Sequence, residues 1–265
     1  MEINHILGYV GALIVGLVLG LIGGGGSILT VPILVYLIGL NPVIATAYSL
    51  FIVGTTSLFG AIQNFRNKMV DIKTATIFAI PAFLAVYLTR RYLIPAIPDS
   101  LFTLFGFEVT KDVFIMIFFA IIMVLASFSM IRSKKNFSVK ETTISYNYPL
   151  IIIEGVVVGI LTGIVGAGGG FLIIPALVLL ANLPMKLAVG TSLIIIAAKS
   201  LIGFLGDVQN LAIDWNFLLL FTAISILGIL LGVYLTKFIS GKNLKKGFGW
   251  FTLLMAIYII YKELY

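Results

Sequence analysis

Four consecutive glycines, Gly23-Gly24-Gly25-Gly26, followed by Ser27, interrupt an apolar run that covers residues 7–40. Each glycine costs a helix roughly 1 kcal/mol relative to alanine and offers no side chain to pack. One helix through the whole run would be about 50 Å long, more than tilt absorbs in a hydrocarbon core of about 30 Å. The run therefore reads as two arms joined by an unwound turn. Inside a bilayer, unwound backbone is tolerated only where protein buries it or where it lines a wet cavity. The same feature returns at Gly166-Ala167-Gly168-Gly169-Gly170, and a matched pair of breaks points to a binding site.

Composition requires the bilayer. Of 265 residues, 61% are hydrophobic and 10% charged, whereas a soluble domain is about half apolar and about a quarter charged. Apolar segments fall near 6–40, 43–63, 72–93, 112–131, 149–181, 187–206, 215–238 and 247–262. The net charge of +7 comes from Lys and Arg in short loops between these segments. That placement reads as a topology signal, and no nucleic-acid partner is expected. Zero cysteines and the single His5 exclude disulfides, thiolate metal sites and a histidine-rich metal centre, so no metal or cofactor is expected. The start, Met1-Glu2-Ile3-Asn4-His5, lacks the basic region of a cleavable signal, and the first segment is expected to remain.

The two halves repeat. At an offset of 143 residues, Gly16, Gly20, Gly23, Gly25, Gly26 and Pro32 fall on Gly159, Gly163, Gly166, Gly168, Gly169 and Pro175. Ser49-Leu50 falls on Ser192-Leu193, Ser57 on Ser200, Gly60 on Gly203 and Asp71 on Asp214. The expected architecture is an all-α integral membrane protein of two four-segment repeats, 1–131 and 149–265, joined by a basic cytoplasmic linker, 132–148. Charge decides how the repeats face. If segments 1 and 5 were single crossings, Lys and Arg would divide eight and eight; if each is a re-entrant hairpin, they divide twelve and four. The bias favours hairpins at the glycine turns, inverted halves and both termini outside a cell (plasma or inner) membrane. Two thin full crossings in each segment have the same parity and stay open.

Several residues could carry chemistry. At Gly23, Gly24, Gly25, Gly26 and Ser27, and at Gly166, Gly168, Gly169 and Gly170, arm ends near the midplane could aim free N–H groups at a small anion. The plainer reading is close helix packing, and it has support: Gly8, Ala12, Gly16 and Gly20 recur every four residues, as do Gly155, Gly159 and Gly163. Thr55, Thr56 and Ser57, which correspond to Ala198, Lys199 and Ser200, with Thr191 and Ser192, could line a polar path. They could equally bond their own helices. Lys199 lies about 20 Å along its helix from Lys186 and about 12 Å from Asp207, within the hydrocarbon. An intramembrane cation is costly and points to a site; here its partner would be a transported anion, with snorkelling or carbonyl contacts as the alternatives. Arg90-Arg91 reads as an interfacial anchor, with a basic outer vestibule that concentrates anions as the alternative, and Asp207 and Asp214 as solvated loop residues.

These motifs resemble those of the sulfite exporter TauE/SafE family: Gly20-Leu21-Ile22-Gly23-Gly24-Gly25-Gly26-Ser27…Pro32, Gly163-Ile164-Val165-Gly166-Ala167-Gly168-Gly169-Gly170…Pro175, and Ala188-Val189-Gly190-Thr191-Ser192. Ala45-Thr46-Ala47-Tyr48-Ser49 departs from the pattern at Tyr48. The resemblance implies a permease for a small sulfur-containing anion such as sulfite, thiosulfate or an organosulfonate. A coupling proton rests on the resemblance alone. The expectation is an alternating-access secondary transporter and not an enzyme, since no histidine stands near Ser49 or Ser192 to serve as a base. A passive anion channel and a scaffold without flux stay open.

Overall fold

The computed structural model describes residues 3–24, 26–104, 107–132, 148–166, 168–179, 183–235, 238 and 241–264. The expected linker therefore lies almost wholly outside the described residues. The first apolar run is two helices, α1 (Ile3–Ile22) and α2 (Ser27–Pro32), the latter continued by a π-turn, Ile33–Leu37. The fifth is likewise α7 (Tyr148–Val165) and α8 (Gly170–Leu179). Between them stand α3 (Pro42–Arg66), α4 (Ile72–Leu88), a second π-turn (Thr89–Leu93), the short α5 (Ile94–Ala96) and α6 (Lys111–Arg132). The chain ends with α9 (Met185–Asp207), α10 (Trp215–Leu235) and α11 (Gly241–Leu264). Among the described residues, five helices are long and apolar enough to cross a membrane: those at Pro42–Arg66, Ile72–Ala96, Lys111–Phe128, Leu187–Asp207 and Trp215–Leu235.

One departure from an all-helical plan is a two-stranded ribbon, β1 (Ser100–Leu104) against β2 (Phe107–Thr110), between α5 and α6. Pro98 follows the end of α5 and bars its continuation, and the Phe-, Thr- and Val-containing stretch that follows suits an extended chain.

Packing follows the duplication. α1 lies along α10 and α4 along α7; α3 pairs with α9 and α6 with α11; α4 also meets α9, and α10 meets α3. Exchanging the halves by the order of their segments maps each pairing onto another of these or onto itself. The glycine stripes make the long contacts. A Cβ on Gly20 would lie 2.5 Å from Ile229 O and 3.0 Å from Gly232 Cα. In the other half, a Cβ on Gly159 would lie 2.5 Å from Ala82 O. The packing role expected of these stripes is thus what they do at Gly16, Gly20, Gly155 and Gly159, letting backbones approach as small-residue stripes do. The second arm of the first run returns beside the first: Gly26 lies against Val15 and Leu19, Ile33 against Gly11, and Ile38 against Gly8.

Outward faces are apolar, with Leu84, Leu125, Leu227 and Leu254 each more than half exposed, as suits a chain whose surroundings are lipid. The interior instead holds small and polar side chains, among them Thr46, Ser49, Thr56, Ser57, Thr162, Ser192 and Ser200.

The repeat also explains Tyr48. Thr191 Oγ1 accepts a hydrogen bond from the Asp71 N–H at 2.9 Å, and Tyr48 Oη accepts one from the Asp214 N–H at 2.6 Å. Both pairs are related by the 143-residue offset, so a phenol and a shorter hydroxyl tie down the start of α4 or α10 in the same way. Tyr48→Phe is expected to lower the thermal midpoint by an amount corresponding to about 1 kcal/mol, one lost hydrogen bond to a part-buried N–H. A thermal scan of the detergent-solubilised protein measures this, and an unchanged midpoint would contradict it.

Candidate functional site

The two glycine turns open in the same way. α1 stops where Gly23 takes φ +77° and donates its N–H to Leu19 O at 2.8 Å. α7 stops where Gly166 takes φ +69° and donates to Thr162 O at 2.8 Å. Only glycine enters this left-handed region at little cost, and it closes the helix as it does so. The exits differ: Gly26 is right-handed, with φ −65°, whereas Gly168 and Gly169 are left-handed. Gly25 and Ala167 fall outside the described residues, as does the side chain of Ser27.

The turns touch. A Cβ on Gly24 would lie 2.5 Å from the carbonyl carbon of Gly170 and 2.6 Å from its Cα. Two stretches of sequence 146 residues apart thus cross backbone to backbone, and Gly170 is also the first residue of α8.

One face of α9 contacts both turns. Val189 packs against Gly23, Ser192 Oγ donates to Gly23 O at 2.8 Å, and Ile196 reaches Gly170. Seven residues beyond Ser192, about 10 Å along the helix, Lys199 is fully buried and donates from Nζ to Thr162 Oγ1 at 2.7 Å. A Cβ on Gly169 would lie 2.8 Å from that Nζ, so the amine borders the second turn. Lys199 neither snorkels nor rests on carbonyls alone.

The matching face of α3 serves the second turn through Thr46, the counterpart of Val189, which packs against Gly166. Here the structure corrects two expectations. Arg90 is no interfacial anchor: it is fully buried, with Nη1 donating to Thr46 Oγ1 at 3.0 Å and lying 3.5 Å from Asp207 Oδ2. Asp207, expected in solvent, is only 3% exposed. The cause is tertiary. The π-turn at Thr89–Leu93 shifts the helix register, so that Arg90 points inward while Leu88 and Tyr92 stay exposed. The end of α9 then brings Asp207 beside it. Arg91 instead reaches Gln209 at an exposed site.

The two cations are held alike. The Thr46 hydroxyl donates to Val43 O at 2.9 Å, and that of Thr162 to Val158 O at 2.7 Å. Each threonine has committed its proton to its own helix and offers the cation only a neutral oxygen. Among the described residues, Asp207 is the one carboxylate in an ion pair with either cation, so two cations and one carboxylate leave one positive charge in excess beside the second turn.

Of the remaining candidates, Thr191 is engaged by Asp71, Thr55 is half-buried, and the hydroxyls of Thr56 and Ser57 are buried without a partner among the described residues, as are those of Ser49 and Ser200. The reading from sequence missed Arg90, Asp207, Thr46 and Thr162. A signal existed for the first: Arg90-Arg91 ran against the charge bias, which is what a buried functional arginine also does.

An assembly of apolar-faced helices with two broken segments and a charged, buried centre defines a multi-pass membrane protein of the transporter class. Comparison with known proteins gives the family. The sulfite exporter TauE/SafE family profile matches residues 9–259. A probable membrane transporter protein of Xylella fastidiosa (strain 9a5c) is 30% identical over 255 residues, covering 94% of this chain and 92% of the relative. The probable membrane transporter protein YunE of Bacillus subtilis is 28% identical over 268 residues, 96% of each chain. No solved structure matches. The chain belongs to the sulfite exporter TauE/SafE family. It is a membrane transporter, not an enzyme.

Proposed function

We propose that the protein is an alternating-access secondary transporter that moves a small sulfur-containing anion, such as sulfite, thiosulfate or an organosulfonate, past the crossing of the two glycine turns. The observation that carries this reading is the Lys199 amine, fully buried beside the second turn and hydrogen-bonded to the neutral hydroxyl of Thr162. A buried cation of this kind is costly unless an anion visits it. The backbone contact between Gly24 and Gly170 favours a carrier over a passive channel, because anything crossing there must first part the turns.

In this reading residues 1–131 and 149–265 are inverted repeats joined by the cytoplasmic stretch 132–148, in the cell membrane, with both termini outside. The runs α1–α2 and α7–α8 are re-entrant hairpins. The return of the second arm beside Gly8, Gly11 and Val15 supports the first hairpin, and the exchange symmetry of the helix pairs supports the repeat. A proton is the coupling ion carried over from the family resemblance.

The test of transport is flux of labelled sulfite, thiosulfate and an organosulfonate into liposomes holding the purified protein, with pH and sodium gradients varied. Uptake above protein-free vesicles under at least one gradient is expected; none under any gradient would overturn the reading. Orientation is separable, because the chain has 0 cysteines. In intact cells, a cysteine at Ser100 is expected to react with an impermeant maleimide and one at Lys68 to be protected.

A further inference from the structure

We propose that the Nε–Nη2 edge of Arg90 grips two oxygens of one anion head group, with Asp207 and Thr46 as the residues that position it. This rests on the anion-transport reading and adds the head-group chemistry. The guanidinium carries five N–H donors in a rigid plane, and its Nε and Nη2 lie side by side on one edge, spaced to meet two oxygens on a common centre. In this protein the fully buried Arg90 uses the other end: Nη1 faces Thr46 Oγ1 at 3.0 Å and Asp207 Oδ2 at 3.5 Å. Among the described residues, Nε and Nη2 have no hydrogen-bond partner. Buried charged donors left open are costly and rare, and both on one edge of one arginine is the arrangement a bidentate ligand completes.

That edge faces the turn. A Cβ on Gly166 would lie 2.6 Å from Nη2, so glycine here does two things: it takes the left-handed φ, and it leaves the guanidinium approachable. A further donor stands close by in sequence and fold. Ser49 lies three residues along α3 from Thr46 and corresponds to Ser192. Ser192 commits its proton to the backbone carbonyls of Gly23 and Val189, whereas among the described residues the buried Ser49 hydroxyl has no partner. Asp207 does not compete with the ligand, since it sits at Nη1; it holds the guanidinium in plane and offsets part of its charge. The ligand class that follows is an anion with at least two oxygens on one atom: a sulfonate, sulfite or carboxylate. A halide, with a single centre, cannot use the paired donors.

The experiment measures binding to the full chain in nanodiscs by calorimetry, with sulfite, methanesulfonate, acetate and chloride as probes. Wild type is expected to prefer the three oxyanions to chloride. Arg90→Lys keeps the charge and removes the fork; it is expected to weaken oxyanion binding by at least roughly tenfold while chloride binding holds, collapsing the selectivity ratio. Asp207→Asn is expected to reduce the same ratio, which a purely structural carboxylate would not move. If wild type binds no probe, the anion-transport reading fails and this assignment with it. If wild type binds oxyanions and Arg90→Lys keeps their selectivity, the assignment alone fails. Because a buried substitution can impair folding, wild type is also to be solved with selenite, whose selenium is located by anomalous scattering. Selenite oxygens within hydrogen-bond reach of Nε and Nη2 are expected, and selenite bound elsewhere in the protein overturns the proposal.

Discussion

Gly24→Ala is expected to abolish transport and to lower the thermal midpoint. The added Cβ would stand 2.5 Å from the carbonyl carbon and 2.6 Å from the Cα of Gly170. No flexible side chain intervenes to move aside, and Gly170 is itself also close to Ile196. Overpacking ordinarily costs about 1–3 kcal/mol where side chains can shift, and backbone against backbone is the less forgiving case. The turns would have to separate, carrying α8 away from α9 and disturbing the Ser192 hydrogen bond to Gly23 O. The control is Gly39→Ala. Gly39 has a positive φ of 80° but nothing within 4 Å of its would-be Cβ, so it reports the backbone strain of a lost glycine without the clash. A thermal scan and liposome flux on both variants are the measurements. Gly24 is not left-handed, so its loss is the clash alone; a loss no greater than that of Gly39→Ala would mean that the turns part easily, and the crossing would lose its special standing.

The difference between those two glycines shows what could be read without coordinates. That residues 23–26 break a helix follows from local chemistry, and it was legible because no neighbour can alter it. The duplication was legible too, since a repeat is a property of the string, and the pairing of α1 with α10 and α4 with α7 runs along stripes of small residues visible at a spacing of four. What stayed hidden was set by tertiary geometry. Arg90 and Asp207 sit near segment ends, where charges usually meet the interface; a π-turn and the lie of the end of α9 put both inside. Tyr48 looked like a defect in the repeat because residue type was compared, not reach; its phenol makes the bond that Thr191 makes with a shorter arm. The β1–β2 ribbon was missed because two strands of five and four residues carry too little alternation to stand out beside long apolar helices.

Replacing Lys199 by Met tests the transport reading by the sign of two effects. If Lys199 only braced the fold, removing its hydrogen bond to Thr162 Oγ1 would destabilise the protein. The geometry argues otherwise. The amine is fully buried and held by a neutral hydroxyl whose own proton already goes to Val158 O. Taking such a cation out of water costs several kcal/mol that a neutral acceptor does not return, and methionine fills a similar volume without that cost. Thr162, for its part, keeps its bond to Val158 O. Lys199→Met is therefore expected to hold or raise the thermal midpoint, while anion affinity falls at least roughly tenfold, the worth of a charge-assisted contact. The substrate that stabilises the wild type against heat should also lose that effect in the variant, because ligand stabilisation scales with concentration over the dissociation constant. Thermal midpoints with and without thiosulfate, beside liposome flux, measure both signs at once. A lower midpoint together with unchanged affinity would make Lys199 a structural residue, and anion binding at the second turn would then rest on Arg90 alone.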